Sequence, residues 1–332
     1  MLKKLTLTLF VAAITVFGQA KPSFEVATIK PSAPLDPAKI MAAMQAGGKL
    51  PVGMDIDAHR AQYRYLDLKT LISLAYGMKP YQVTGPDWMG AARFDIEGTL
   101  PAGASKDDVP KMLKSLLEDR FKLTSHLSSA EHPVLALVVG KGGLKMKEST
   151  ETPKAIDESA PGVPGEVITQ GPDGPIRMKM DMTKGTASID MGLKGKMRYA
   201  PNAANGTMQI DFSMVTMGGL ADMITQIFTQ LGGTSGRQVV DQTGIKGNYE
   251  ASLNISLADM IAMARNAGMD IPGGQGGPGG AAPAGAAVAS DPSTSGATLQ
   301  EGVQNLGLKL ESRKAVIDQL IVDHLEKTPT EN

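Results

Sequence analysis

The sequence predicts an α+β fold made of two duplicated β-α-β-β-α-β-β modules, each a small sheet covered by two helices. Three observations carry that prediction. Tyr63–Lys141 and Thr207–Lys327 each read as strand, helix, two strands, helix, two strands. The second helix of each opens on a capping-box signature, Ser105-Lys-Asp-Asp108 in one and Thr298-Leu-Gln-Glu301 in the other. Each half then closes on a Lys-Leu strand, with Leu308-Lys309-Leu310 matching Phe121-Lys122-Leu123.

Residues 1–20 read as a secretory signal peptide: Lys3 and Lys4, then an apolar run from Leu5 to Phe17, then the small residues Gly18 and Ala20. The run is shorter than the ~20 residues that span a bilayer, so cleavage is expected rather than anchoring, and with it a periplasmic or secreted location. Residues 21–61 form an N-terminal strand and linker. Phe24–Lys30 alternates as a strand does, and a short helix is expected at Ala38–Gln45.

The first module spans 62–147. Leu68, Leu71, Ile72, Ala75 and Tyr76 fall on one helix face, which Gly77 and Pro80 end. Strands follow at Tyr81–Thr84 and Arg93–Thr99. Val109, Met112, Leu113, Leu116 and Leu117 make the second apolar stripe, with Pro110 in its first turn. A hairpin of Phe121–Leu127 and Pro133–Val139 is expected to close the module. The unbroken apolar run Val134–Val139 predicts burial on both faces. Residues 148–206 read as a Pro/Met-rich linker with a loosely attached hairpin of Ile176–Met182 and Thr186–Met191.

The second module, 207–327, repeats the order. Met208–Met214 is its opening strand, and Met217, Leu220, Ala221, Ile224, Ile227, Phe228 and Leu231 line its first helix. Gln238–Asp241 and Asn248–Ile255 are the middle strands, and Val316–Val322 the closing one. A further helix is expected at Leu257–Ala267. The Gly/Ala/Pro tract 273–297 has no periodicity that buries a core and is expected to be disordered.

Composition narrows function mostly by exclusion. The absence of Cys rules out disulfides, thiol catalysis, zinc-thiolate sites and a lipidated cysteine. With 33 basic and 34 acidic side chains, nothing draws the chain electrostatically to nucleic acid or anionic lipid. Only 4% of residues are aromatic, too few for stacking platforms that hold sugars or bases. The motifs H-E-x-x-H, G-x-S-x-G, S-x-x-K and the P-loop are all missing. Gly274-Gln-Gly276-Gly-Pro-Gly279 fits G-x-G-x-x-G by letter, but it lacks the preceding strand and following helix that present amides to a pyrophosphate.

Three clusters have chemistry to weigh. Asp55, Asp57 and His59 share a face if extended, a start toward a divalent cation site. His324 and His132 have carboxylates nearby, Asp318, Asp323 and Glu326 among them, as an acid–base site needs. Met178, Met180 and Met182 have the M-x-M spacing of thioether copper(I) sites. Each is outweighed by its structural alternative: a solvated segment, a charged strand end and core filler. No catalytic, cofactor-binding or metal residue is assigned, and no cofactor is expected.

FEVATIKPS (24–32), LISLAYGMKPYQVTGPDWM (71–89), FDIEGTLP (94–101), MLKSLLEDRFKLTSH (112–126) and VVDQTGIKGNYEASL (239–253) resemble an uncharacterised family of secreted acidobacterial proteins, a domain of unknown function expanded into many paralogues. The resemblance extends through 131–149 and 299–332 and departs at Leu135 and Leu144, both packing positions. It implies an exported protein, sometimes neighboured by membrane-embedded sensor peptidases, and carries over no catalytic residue. The leading expectation is a non-enzymatic envelope protein whose strand edges bind a protein or peptide. The alternatives are a hydrolase with an unrecognised His/carboxylate site and a Met-rich copper binder.

Overall fold

The computed structural model describes residues 21–46, 52–157, 165–171, 174–181, 183–202, 206–230, 238–256, 259 and 297–330. The expected signal peptide, the helix at Leu257–Ala267 (save Asp259) and the tract 273–296 lie outside the described residues. In chain order the elements are β1 (Val26–Pro31), α1 (Pro37–Ala46), β2 (Gly53–Ile56), β3 (Arg60–Asp67), α2 (Leu68–Tyr76), β4 (Val83–Thr84), β5 (Arg93–Thr99), α3 (Val109–Arg120), β6 (Thr124–Val139) and β7 (Lys147–Glu148). They continue as β8 (Glu166–Gly171), β9 (Gly174–Asp181), β10 (Thr186–Asp190), β11 (Lys196–Asn202), β12 (Thr207–Val215), α4 (Met217–Gln230), β13 (Val239–Asp241), β14 (Tyr249–Ser256), α5 (Ala297–Asn305) and β15 (Leu308–His324).

The fold is mixed α+β, with five helices and sheets of four, seven and four strands among the described residues. The first sheet has the order β1-β5-β3-β2 and the second β8-β9-β10-β11-β12-β14-β7; they meet edge to edge at one described pair, Met54 opposite Gln170. The third is central, in the order β13-β6-β15-β4. Two small sheets were expected, and the extra strands come mainly from the segment read as a linker. There β9 and β10 pair as the expected hairpin. They are not loosely attached, because β8 extends them on one side and β11 ties them to β12 on the other.

The expected closing hairpins are not formed. Residues 124–139 are one strand and 308–324 another, and the two pair antiparallel from Leu308↔Val139 to His324↔Thr124. Ser128-Ser129-Ala130-Glu131 offers no residue suited to the positive φ of a tight hairpin turn, so the chain runs straight on. Pro133 is tolerated inside β6 because its missing N–H is on the strand's outer side, where no described strand pairs with it. Tyr81–Thr84 is likewise not one strand: Pro80–Gln82 is a 3₁₀ turn and only Val83–Thr84 is extended.

Helices α2, α3 and α4 form where their apolar stripes predict. The carboxylate of Asp67 accepts the Thr70 amide at 2.8 Å to start α2, and Gly77 ends it at φ 63°. Thr216 Oγ1 accepts the Gly219 amide at 3.0 Å to start α4. Before α3, the Ser105 amide and hydroxyl both donate to the Asp108 carboxylate. Helix α5 begins at Ala297, one residue before the expected cap Thr298.

The apolar faces build two cores. The first joins Leu68, Leu71 and Ile72 of α2 and Val109, Met112, Leu113 and Leu117 of α3 to Tyr63, Phe94 and Ile96 of the first sheet. It is completed by Leu320 and Val322, which come from β15 at the far end of the chain. The second joins α4 and α5 to β12 and β14, and is completed by Leu137 of β6. Each half therefore buries a strand belonging to the other. Ala136 and Leu137 are adjacent and both fully buried, as the unbroken apolar run predicts. A hydrogen bond of 2.6 Å from Tyr81 Oη to Asp222 on α4 links the halves elsewhere.

Candidate functional site

The main chain of β6 defines the site. The Leu135 amide donates to the Gln238 carbonyl at 2.9 Å, and the Gln242 amide to the Leu137 carbonyl at 2.9 Å. Odd-numbered residues of β6 therefore point their N–H and C=O towards β13, and even-numbered ones towards β15. Strand β13 covers only Leu135–Leu137. Upstream, Ser125, Leu127, Ser129 and Glu131 direct main-chain donors and acceptors outward, and no described strand pairs with them. An uncovered row of this kind is a template for another extended chain. Leu127 stands beside it with 70% of its surface exposed, unusual for a leucine in a strand of serines.

A cavity of about 610 Å³ lies against this edge. Leu123 and Leu320 supply buried apolar walls, and Thr124, Ser125, Leu127 and the Tyr76 ring complete the lining with Lys114 and Glu118. Tyr76 ends α2 and reaches the strand, its hydroxyl 2.7 Å from Ser125 Oγ. Lys114 on α3 holds its ammonium 4.4 Å from the Tyr76 ring centre and 3.9 Å from the Glu118 carboxylate. Both charges are thus already engaged at the mouth.

The histidines and carboxylates are placed differently from the sequence expectation. His324 is opposite Thr124, and His132 opposite Ala315. The carboxylate close to an imidazole is that of Asp323, 2.9 Å from His126 Nδ1 on the exposed surface. Asp323 is the extra residue where the β15 register shifts between Val322 and His324. Asp318 accepts a hydrogen bond from Ser129 Oγ. Ser125 is next to His126, but neighbours on a strand point to opposite faces, so the two do not form a nucleophile–base pair.

Asp57 closes the turn between β2 and β3, accepting the amides of His59 at 2.7 Å and Arg60 at 2.8 Å. Those bonds hold its carboxyl below the usual aspartate range. Among the described residues no group of three or more His, Asp or Glu is arranged to hold a metal. Met178 is opposite Val167 and Ile189 in a cross-strand apolar row, and Met182 lies outside the described residues. Two half-buried pairs do structural work: Arg93 with the α2 cap Asp67, and Arg177 with Glu166 at 2.5 Å.

The sequence reading missed this edge and its cavity. Its one local signal was Leu127 between Ser125 and Ser129, together with Pro133 breaking the donor row. Among the described residues, no helix is long and apolar enough to cross a membrane. No curated protein and no solved structure matches the chain. One family model does, over residues 69–325, and its description is "Protein of unknown function (DUF3738)".

Proposed function

The chain belongs to that family, whose description assigns no chemistry, and we propose that it is an exported, non-enzymatic protein that binds an extended segment of a protein or peptide partner in the envelope. The observation that carries this reading is the outer edge of β6 from Ser125 to Glu131, with which no described strand pairs. An extended chain satisfies such a row, because its own donors and acceptors repeat with the same period; main-chain bonds then supply affinity and side-chain pockets selectivity. Export rests on the sequence of residues 1–20. A hydrolytic reading has less support, since the register sets His132 opposite Ala315 and, among the described residues, no three His, Asp or Glu are grouped to hold a metal.

The two halves read best as copies of one module that have exchanged their last strands. Several correspondences support this. Strands β3 and β12 each break register three residues before their helix, at Tyr65 (φ 58°) and Met214 (φ 63°). The cap residues Asp67 and Thr216 follow at equal spacing. Lys122 (φ 52°) turns α3 into β6 as Gly307 (φ 78°) turns α5 into β15. That makes Leu306-Gly307-Leu308 the counterpart of Phe121-Lys122-Leu123, two residues earlier than the Lys-Leu match in sequence. Val83 pairs with Leu320 as Val239 pairs with Leu135, both parallel.

The test is selection of random dodecapeptides on the mature chain, followed by binding measurements on a Ser129→Pro variant. Proline there removes one outward N–H and the Ser129 Oγ bond to Asp318, but leaves the main-chain ladder to β15 in place, since the Ser129 N–H points away from it. Selected peptides are expected to slow amide exchange at Leu127, Ser129 and Glu131 and to lose most of their binding to the variant. Equal binding to a variant with unchanged melting temperature would refute strand addition at this edge.

A further inference from the structure

We infer that the cavity flanked by Ser125 and Leu127 is the specificity pocket of this edge, and that it selects a segment carrying a large apolar side chain, aromatic or leucine-sized. This rests on the strand-addition reading above. Side chains of a strand alternate between faces. A strand laid along the outer edge of β6 therefore sends every second side chain to the face that Ser125 and Leu127 share. On that face the register places Leu127 directly opposite Leu320 and Ser125 opposite Val322. The wall met there is apolar: Leu123 and Leu320, nearly inaccessible to solvent, and the Tyr76 ring.

Successive same-face residues of a strand are roughly 6.6 Å apart. The lining from Ser125 to Leu127 thus accommodates one such residue centrally, with room for part of the next. The polar groups at the mouth do not call for a charged guest. Lys114 is over Tyr76 and near Glu118, and the Tyr76 hydroxyl is bonded to Ser125. A charged side chain entering would lose hydration without gaining an unengaged charge as partner. On the opposite face of β6 the neighbours are His126, Ser128 and Ala130, with Asp323 on His126 and Ile321 and Ile317 across from His126 and Ala130, so the alternate positions of the segment face a mixed surface. The occupant is accordingly an extended segment with one bulky apolar residue at the position that faces the cavity.

Strand addition on this edge has a precedent within the molecule. Strand β13 adds in parallel to the same side of β6 at Leu135–Leu137. Pro133, with no N–H to offer, separates that occupied stretch from the open one. The open stretch, Ser125 to Glu131, is the part next to the cavity.

The probes are fluorescein-labelled heptapeptides of sequence Thr-Lys-Thr-X-Thr-Lys-Thr with X as Phe, Leu, Ala or Asp, blocked at the C-terminus. Binding to the mature chain is read by polarisation, and placement by amide exchange. The Phe and Leu peptides are expected to bind at least about tenfold more tightly than the Ala and Asp peptides. Ser125→Phe, which fills the pocket, and Leu127→Asp, which charges its wall, should erase that preference while the Ala peptide still binds. Melting temperatures verify that both variants fold.

Equal binding of all four peptides with protection at Leu127 and Ser129 would overturn the pocket and leave strand addition standing. Absence of protection by any of them would overturn both. If the mature chain instead dimerises in a concentration-dependent way that Ser129→Pro abolishes, the edge belongs to a second copy and the inference fails.

Discussion

Replacing Leu320 with Ala tests the exchange of strands directly. Leu320 is close to the C-terminus, yet it is 1% exposed and packed in the core built by α2 and α3. Truncating a buried leucine to alanine costs about 2–5 kcal/mol, the spread reflecting how far the site relaxes. Leu320 borders the 610 Å³ cavity, so the new space merges with an existing one and is open to water. The loss is then mainly the transfer free energy of the removed atoms, about 2–3 kcal/mol. Leu137→Ala is the reciprocal change, at a fully buried β6 residue in the second core, and should fall near the upper end, about 4 kcal/mol.

Urea unfolding at 25 °C gives both losses, and amide exchange locates them. Leu320→Ala should speed exchange first in 68–76 and 109–120, far away in sequence. Leu137→Ala should do so in 217–230 and 297–305. If each variant instead loosened only the half of the chain that carries it, or if Leu320→Ala cost less than about 1 kcal/mol, the exchanged cores would be refuted.

Leu113→Asp, at a fully buried position of α3, places an unpaired carboxylate in the first core and should cost several kcal/mol, enough to unfold that half; wild-type melting behaviour would mean the helix face is misassigned. Gly307→Ala should cost more than about 2 kcal/mol, because a Cβ there would be 2.1 Å from the Gly143 carbonyl oxygen at a φ of 78°, and a variant as stable as wild type in urea would disprove the tight turn. At the corresponding turn Lys122→Gly should be neutral or stabilise by up to about 1 kcal/mol. Burial raises the Tyr63 phenol above its ordinary 10.0, and Tyr199 moves the same way. Above about pH 10 the unfolded chain therefore binds fewer protons than the folded one, so stability falls as pH rises. Lys69, lowered by desolvation, works in the opposite sense. Tyr63→Phe removes one contribution, and its urea midpoint should fall less between pH 9 and 11 than that of the wild type; an equal fall would exclude Tyr63 as the source.

The sequence by itself determined the elements whose signals are local. The stripes of α2, α3 and α4 point inward as their spacing predicts, because a 3.6-residue period places those side chains on one face whatever lies opposite. The end of α2 was legible as well, since Gly77 takes the positive φ that closes a helix within one turn. The strand partners were not. Val134–Val139 reads as a doubly buried strand, but nothing within it specifies that its companion is 308–324 rather than 121–127. Alternation tells which face a strand buries and is silent on its neighbour. Residues 166–202 show the same limit, since a pattern read as a loose hairpin became part of a seven-stranded sheet once β11 met β12. The edge at Ser125–Glu131 and its cavity belong wholly to this second kind. They arise because the described part of β13 pairs only with Leu135–Leu137, and because α2 and α3 place Tyr76, Lys114 and Glu118 over a face completed by Leu320, almost two hundred residues further along the chain. Contacts between segments so far apart are decided by packing of the whole molecule, where the burial gained outweighs the entropy of closing so long a loop.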